Sequence, residues 1–268
     1  MRAISVDEVA RRAEALRSQV SPRELEALAR PQPFLSVEGL RAGYGAMEVV
    51  HDFTLHVARG QSVCLIGPNG AGKSTVLHAI FGFARIFGGR VRAGGTDITR
   101  LSPERKLREA RIAYVLQDKS VFPGMTVEEN LLMGAYLLPP ARAREAVERV
   151  LSGYERLAVR RRQPARVLSG GERRLLEISR ALVMQPDILL IDEPSIGLEP
   201  RFIDMVFEIL AALQRDENKT IVMVEQNAKK GLEFADLGYA LVSGELALAG
   251  SGANLLTNPD VGRLFLGG

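Results

Sequence analysis

The sequence predicts an α/β domain whose core is a mostly parallel sheet. Three observations predict it. The runs Ile112-Ala-Tyr-Val-Leu116, Ile188-Leu-Leu-Ile191 and Thr220-Ile-Val-Met-Val224 are continuously apolar, the texture of strands covered on both faces. Stretches of helical periodicity separate them. A glycine-rich loop, Gly67 to Gly72, sits between the strand-like Ser62-Val-Cys-Leu-Ile66 and an apolar helix.

The bulk numbers fit. A chain of 268 residues, 46% hydrophobic and 25% charged, can form one large α/β domain with a small appendage. Its net charge of +3 is too mild for a dedicated nucleic-acid binder, so no nucleic acid is expected as partner. The lone cysteine, Cys64, cannot form an internal disulfide, which suits a reducing setting. In its apolar run it reads as a small buried hydrophobe. No segment approaches the ~20 apolar residues of a membrane span, and the N-terminus lacks the apolar stretch of a signal peptide. Any membrane role is then peripheral.

Residues 1–33 read as a helical extension. Ser5 with Glu8 and Ser21 with Glu24 match capping boxes, and Pro22 suits a first helical position. Val6, Val9, Ala13, Leu16 and Val20 form one apolar stripe. The extension is either an amphipathic hairpin packed on the body or a partner-docking arm. Pro31-Gln-Pro33 breaks it off. Residues 34–268 form the main domain. It opens with strands at Phe34–Glu38, Glu48–Val50, Phe53–Val57 and Ser62–Ile66. From about 118 to 168 it turns helical, with a capping box at Thr126 and Glu129 and a charged amphipathic stretch from Ala141 to Leu151.

Gly67-Pro68-Asn69-Gly70-Ala71-Gly72-Lys73-Ser74-Thr75 matches the phosphate-loop pattern in strand–loop–helix context. Its glycines let successive amides face a polyphosphate, and the helix start adds a favourable dipole. Lys73 is the candidate for the β- and γ-phosphates, and Ser74 for Mg²⁺. The run Ile188–Ile191 ends in Asp192 and Glu193, which places two carboxylates where ligands bind in doubly wound sheets. Asp192 is the candidate for the magnesium shell. Glu193 is the candidate base that polarises the attacking water.

The discriminating motif is Leu168-Ser169-Gly170-Gly171-Glu172, ahead of a helix from Arg173 to Met184. A capping box accounts for Ser169 and Glu172 but leaves the two glycines unexplained unless a phosphate approaches their amides. This motif resembles the signature of the ABC transporter ATPases, which implies a P-loop NTPase fold of ABC type, with an antiparallel β subdomain and a helical subdomain. The resemblance implies ATP and Mg²⁺ as cofactors. It makes Tyr44 the aromatic that stacks on adenine, a strand-edge tyrosine being the other reading. It makes Gln117 a contact to Mg²⁺ and to the attacking water. Gln226 stands at the switch position, where a histidine is usual. Glu199, in the dimer-contact loop Ser195-Ile-Gly-Leu-Glu-Pro200, replaces the usual aspartate, and Arg173 stands where glutamine is common.

Val224-Glu-Gln-Asn-Ala228, the Gly-Leu-Glu-Pro loop and the ending Leu264-Phe-Leu-Gly-Gly268 resemble the LivF-type subunits of branched-chain amino acid importers, over about Phe34 to Gly268. Importers of amides and urea share much of this pattern. The resemblance implies transmembrane permease subunits as partners, at the cytoplasmic face of the inner membrane. It also implies a head-to-tail pair in which each signature faces the other subunit's phosphate loop. With no histidine at Gln226, the second ATPase is expected to be a non-identical chain. Two rivals keep the fold but change the role: a cytosolic ABC protein outside transport, and a nucleotide sensor with little turnover. A small GTPase would need an acid that Asn218-Lys-Thr-Ile221 lacks.

Overall fold

The computed structural model describes residues 22–29, 32–117 and 120–265. The predicted first helix, with the stripe Val6 to Val20, lies outside them. The second forms α1 (Pro22–Leu28). Leu25 and Ala29 are buried against the body, and the Leu28 carbonyl accepts from Gln61 Nε2 at 3.2 Å. The described part of the extension thus packs on the main domain.

Four strands form an antiparallel sheet in the order β2-β1-β4-β5: β1 (Leu35–Tyr44), β2 (Met47–Val57), β4 (Arg85–Ala93) and β5 (Thr96–Asp97). The two short strands expected at Glu48–Val50 and Phe53–Val57 are one. β2 bends at Asp52, whose φ is +47°, beside Gly39 of β1 at +57°. A polar residue in the left-handed region interrupts the apolar pattern and reads as a gap.

The second sheet has six strands in the order β10-β9-β3-β8-β7-β6. In it β3 (Ser62–Ile66), β6 (Ile112–Val115), β7 (Ile188–Asp192), β8 (Thr220–Val224) and β9 (Leu237–Val242) are parallel, and β10 (Glu245–Ser251) is an antiparallel edge. Side chains alternate between two cores. Val63, Leu65, Ile188, Leu190, Val222 and Val224 face one, while Cys64, Ile66, Leu189, Ile191, Ile221 and Met223 face the other. Two-sided burial explains the unbroken apolar runs.

α2 (Lys73–Phe81) covers the first face; α7 (Gly170–Leu182), α8 (Pro200–Glu217) and α9 (Ala228–Phe234) cover the second. α3 (Pro103–Arg108) precedes β6. α4 (Val127–Gly134), α5 (Pro140–Gly153) and α6 (Glu155–Ala158) build the helical region, and α10 (Gly252–Thr257) and α11 (Pro259–Phe265) close the described chain. Thr126 and Glu129 form the expected capping box at α4. Buried Asn130 donates to the carbonyls of Phe122, Met125 and Thr126, fixing the entry to that helix.

The register aligns the strand ends. Val115 pairs with Ile191, Asp192 with Val224, and Val224 with Leu65. The segments after β3, β6, β7 and β8 therefore leave one edge of the sheet side by side.

α2 is anchored at its far end by Lys106 of α3, which is fully buried. Its Nζ donates to the carbonyl of Ile80 at 2.7 Å and of Ala79 at 3.4 Å, groups that a helix C-terminus leaves without partners. Burial pushes the Lys106 amine down to about 8, against about 10.4 in an unfolded chain. The cost of burying the charge is present below pH 8 and is relieved as pH rises, because the folded chain then releases a proton that the unfolded chain keeps. Denaturant melts at pH 7.5 and 9.5 should show a stability gain on the order of 1–3 kcal/mol that is absent from Lys106→Met.

Candidate active site

The loop after β3 is shaped by Gly67, Gly70 and Gly72, with φ of +149°, +80° and +93°. Gly72 caps α2 without a side-chain bond, so the first amides of the helix stay open to an anion. Lys73 folds back over the loop, its Nζ donating to the carbonyls of Gly67 at 2.9 Å and Pro68 at 3.0 Å. Burial lowers the pKa of this amine, and Glu193 and Asp192 oppose that shift. Ala71 is buried, and Asn69 and Gly70 are exposed.

Ser74, one residue on, donates to Asp192 Oδ1 at 3.0 Å, while Tyr114 of β6 donates to Asp192 Oδ2 at 3.0 Å. Asp192 thus lies beneath the loop with both oxygens engaged. Glu193 leaves the strand with φ +44°, a left-handed turn costing about 1–2 kcal/mol outside glycine. The turn carries its carboxylate to Gln117, whose Nε2 donates to Oε2 at 2.8 Å. Burial, and then the charge of Asp192, raise the Glu193 pKa.

These groups converge on a cleft of about 400 Å³ lined by Val49, Asn69, Gly70, Gly72, Lys73, Ser74, Thr75, Gln117, Glu193, Ile196 and Gln226. Tyr44 is outside that lining. It is exposed rather than buried at the strand edge, and its hydroxyl meets His78 Nδ1 of α2 at 2.5 Å.

Residues 168–172 are also outside it. Ser169 caps α7, and Glu172 completes a capping box while pairing with Arg160 at 2.8 Å. Gly170 lines a second cleft with Arg166, Arg173, Arg174 and Leu198. Gln117 and Ile196 line both clefts. The two glycines separate here. A β-carbon on Gly171 would stand 2.3 Å from the Phe202 ring of α8, whereas one on Gly170 would meet nothing closer than Leu198 at 3.5 Å. Helix packing thus gives Gly171 a reason of its own to lack a side chain, beside any approach of a ligand to its amide.

Sequence reasoning missed Tyr114, Arg174 and Glu225. Glu225, just past β8, is buried and accepts from Ser195 Oγ at 2.7 Å, Ser195 N at 3.3 Å and Asn227 N at 2.9 Å. It ties the loop from Ser195 to Pro200 to the segment that carries Gln226. Nothing local in the sequence announces that pairing.

The family model described as "ABC transporter" matches residues 50–196. The chain belongs to the ABC transporter family. This cassette is 41% identical over 234 residues to "High-affinity branched-chain amino acid transport ATP-binding protein BraG" of Pseudomonas aeruginosa, covering 87% of the chain and 100% of that protein. It is 36% identical to "Probable branched-chain amino acid transport ATP-binding protein LivF" of Archaeoglobus fulgidus, over 85% of the chain and 96% of that protein. The LivG protein of Escherichia coli K12 is 33% identical over 88% and 98%. Among solved structures, an ATP-binding cassette of an ABC transporter in its ADP conformation superposes with a TM-score of 0.78 at 28% identity, covering 88% of this chain and 100% of that one. The resemblance to LivF-type subunits read from the sequence therefore stands.

The contrast between the glycines is testable in the cassette. Gly171→Ala should cost about 1–3 kcal/mol by overpacking, and the loss should shrink once Phe202 is cut to alanine. Gly170→Ala should melt like the parent.

Proposed function

We propose that this chain is the ATP-hydrolysing subunit of a membrane importer of branched-chain amino acids. The convergence of Lys73, Ser74, Glu193, Gln117 and Gln226 on one cleft, with Asp192 beneath it, carries the reading. The names of the relatives supply the cargo class.

The loop amides and Lys73 hold the triphosphate of ATP, and Lys73 exchanges its contacts to the Gly67 and Pro68 carbonyls for the β- and γ-phosphate oxygens. Tyr44 leaves His78 to stack on the adenine, and Ser169, Gly170, Gly171 and Glu172 complete the opposite site. Ser74 and Asp192 place a hydroxyl and a carboxylate oxygen 3.0 Å apart, a hard oxygen set that fits magnesium, with Gln117 as a further donor. When bound, magnesium neutralises charge developing on the phosphates. Glu193 orients the attacking water and accepts its proton, the raised carboxylate pKa making it a better base. Gln117 holds that carboxylate until water arrives. Gln226 offers a hydrogen bond to the γ-phosphate but no positive charge, so turnover at this site is slow.

The partner is a second, non-identical ATPase set head-to-tail against this chain. The separation of the signature from the phosphate-loop cleft supports the pairing, and the neutral Gln226 supports a partner with a more active site. Among the described residues no helix is long and apolar enough to cross a membrane. Permease subunits hold the chain at the cytoplasmic face of the inner membrane, docking at a groove beside Gln117 where Phe83, Leu116, Met133 and Tyr136 are exposed.

Glu193→Gln should reduce ATP turnover by ~10²–10⁴-fold while ATP binding, followed by titration, is retained. Normal hydrolysis by this variant would remove Glu193 as the base. Per-site ATPase rates should rise when the second ATPase joins the chain. Equal rates alone and paired would count against a non-identical partner.

A further inference from the structure

We propose that Arg174 is a positioning residue for Glu193, holding the backbone on both sides of the base in its strained turn. The proposal rests on the reading of Glu193 given above. Arg174 lies two residues past the signature in α7 and is 5% exposed. Its Nη2 donates to the carbonyl of Asp192 at 3.0 Å and its Nε to that of Pro194 at 3.2 Å. These carbonyls flank Glu193, which has none of the freedom of glycine and yet sits at φ +44°. Such a conformation persists where its surroundings over-determine it. Here one planar cation grips the chain immediately before and after the turn.

The same group reaches the partner of the base. Nη1 donates to the carbonyl of Leu116 at 2.8 Å, the residue before Gln117, whose amide meets the Glu193 carboxylate. Nη1 also meets Glu177 Oε2 at 2.7 Å, one turn along α7, so the buried cation is neutralised and its plane fixed. A lysine could reach one of these carbonyls but lacks the fork that holds three segments together. Because α7 begins at the signature, a shift of that helix is delivered to Glu193 through Arg174. The aim of the base in one site is thereby tied to the helix that completes the other.

The test uses the full-length chain assembled with its partner subunits, with single-turnover ATP hydrolysis, ATP affinity and melting measured for Arg174→Lys, Glu193→Gln and the double variant. Arg174→Lys should lower the hydrolysis rate by about 10–100-fold, the scale of a misplaced catalytic group, and leave ATP affinity within about twofold. In the Glu193→Gln background the same change should add no further loss, because Arg174 acts through Glu193. Wild-type turnover by Arg174→Lys, a parallel loss of affinity and rate, or multiplied defects in the double variant would each overturn the proposal. Wild-type turnover by Glu193→Gln would instead bring down the base reading on which it stands. Should Arg174→Lys fail to fold, Glu177→Gln loosens the guanidinium without removing it, and the same three outcomes apply to it.

Discussion

Burial of the six-stranded sheet on both faces is the constraint on which the rest of the structure depends. With apolar cores above and below, strands β3, β6, β7 and β8 have little room to display polar groups along their length. Chemistry can only be placed where the strands stop. Parallel pairing then makes them stop together, so the phosphate loop, Gln117, the two strand-end acids and Gln226 arise as neighbours from distant parts of the chain.

That edge is crowded with charge, and the crowding shapes the chemistry. Asp192, Glu193 and Glu225 follow two adjacent strands, and the first and last are held by neutral donors: hydroxyls of Ser74 and Tyr114 on one, Ser195 and a backbone amide on the other. Glu193, whose side-chain partner is the Gln117 amide, holds its proton more tightly than an ordinary glutamate. Cations stand around the acids rather than among them. Lys73 is turned to loop carbonyls, and Arg174 is neutralised by Glu177. A buried ion pair adds little net stability, but removing one partner strands a charge. The Arg174–Glu177 pair is thus better understood as a fixture for geometry than as a source of stability.

Much of this was legible in the sequence, for physical reasons that differ by element. Of the parallel strands, β3, β6, β7 and β8 announced themselves because two-sided burial leaves them almost wholly apolar. The phosphate loop was legible because few other tasks need glycines ahead of lysine and serine after a strand. The capping boxes at Thr126 and Ser169 are local chemistry and appeared as read. β4 was missed because most of its residues are at least part-exposed and its arginines and the pair Gly88-Gly89 interrupt the apolar pattern, and β9 and β10 because their glycines and alanines mute the strand signal. β2 was split by the acid at its bend. Gly171 carried a signal with two readings, since a glycine shaved to admit Phe202 looks the same in sequence as one bared for a ligand. The contacts of Arg174 and Glu225 join residues up to 58 and 30 positions apart, beyond the reach of any local pattern.

The solitary thiol has a practical consequence. Cys64 sits in β3 with no exposed surface, and burial drives its pKa upward, so it has almost no thiolate to offer a reagent. The native chain therefore already behaves as a cysteine-free background. A single cysteine installed at an exposed point such as Val167, near the signature, would be the one position to take a spin or fluorescent label. The surroundings of residues 168–172 could then be followed as nucleotide is added, without first stripping the protein of its own sulfur.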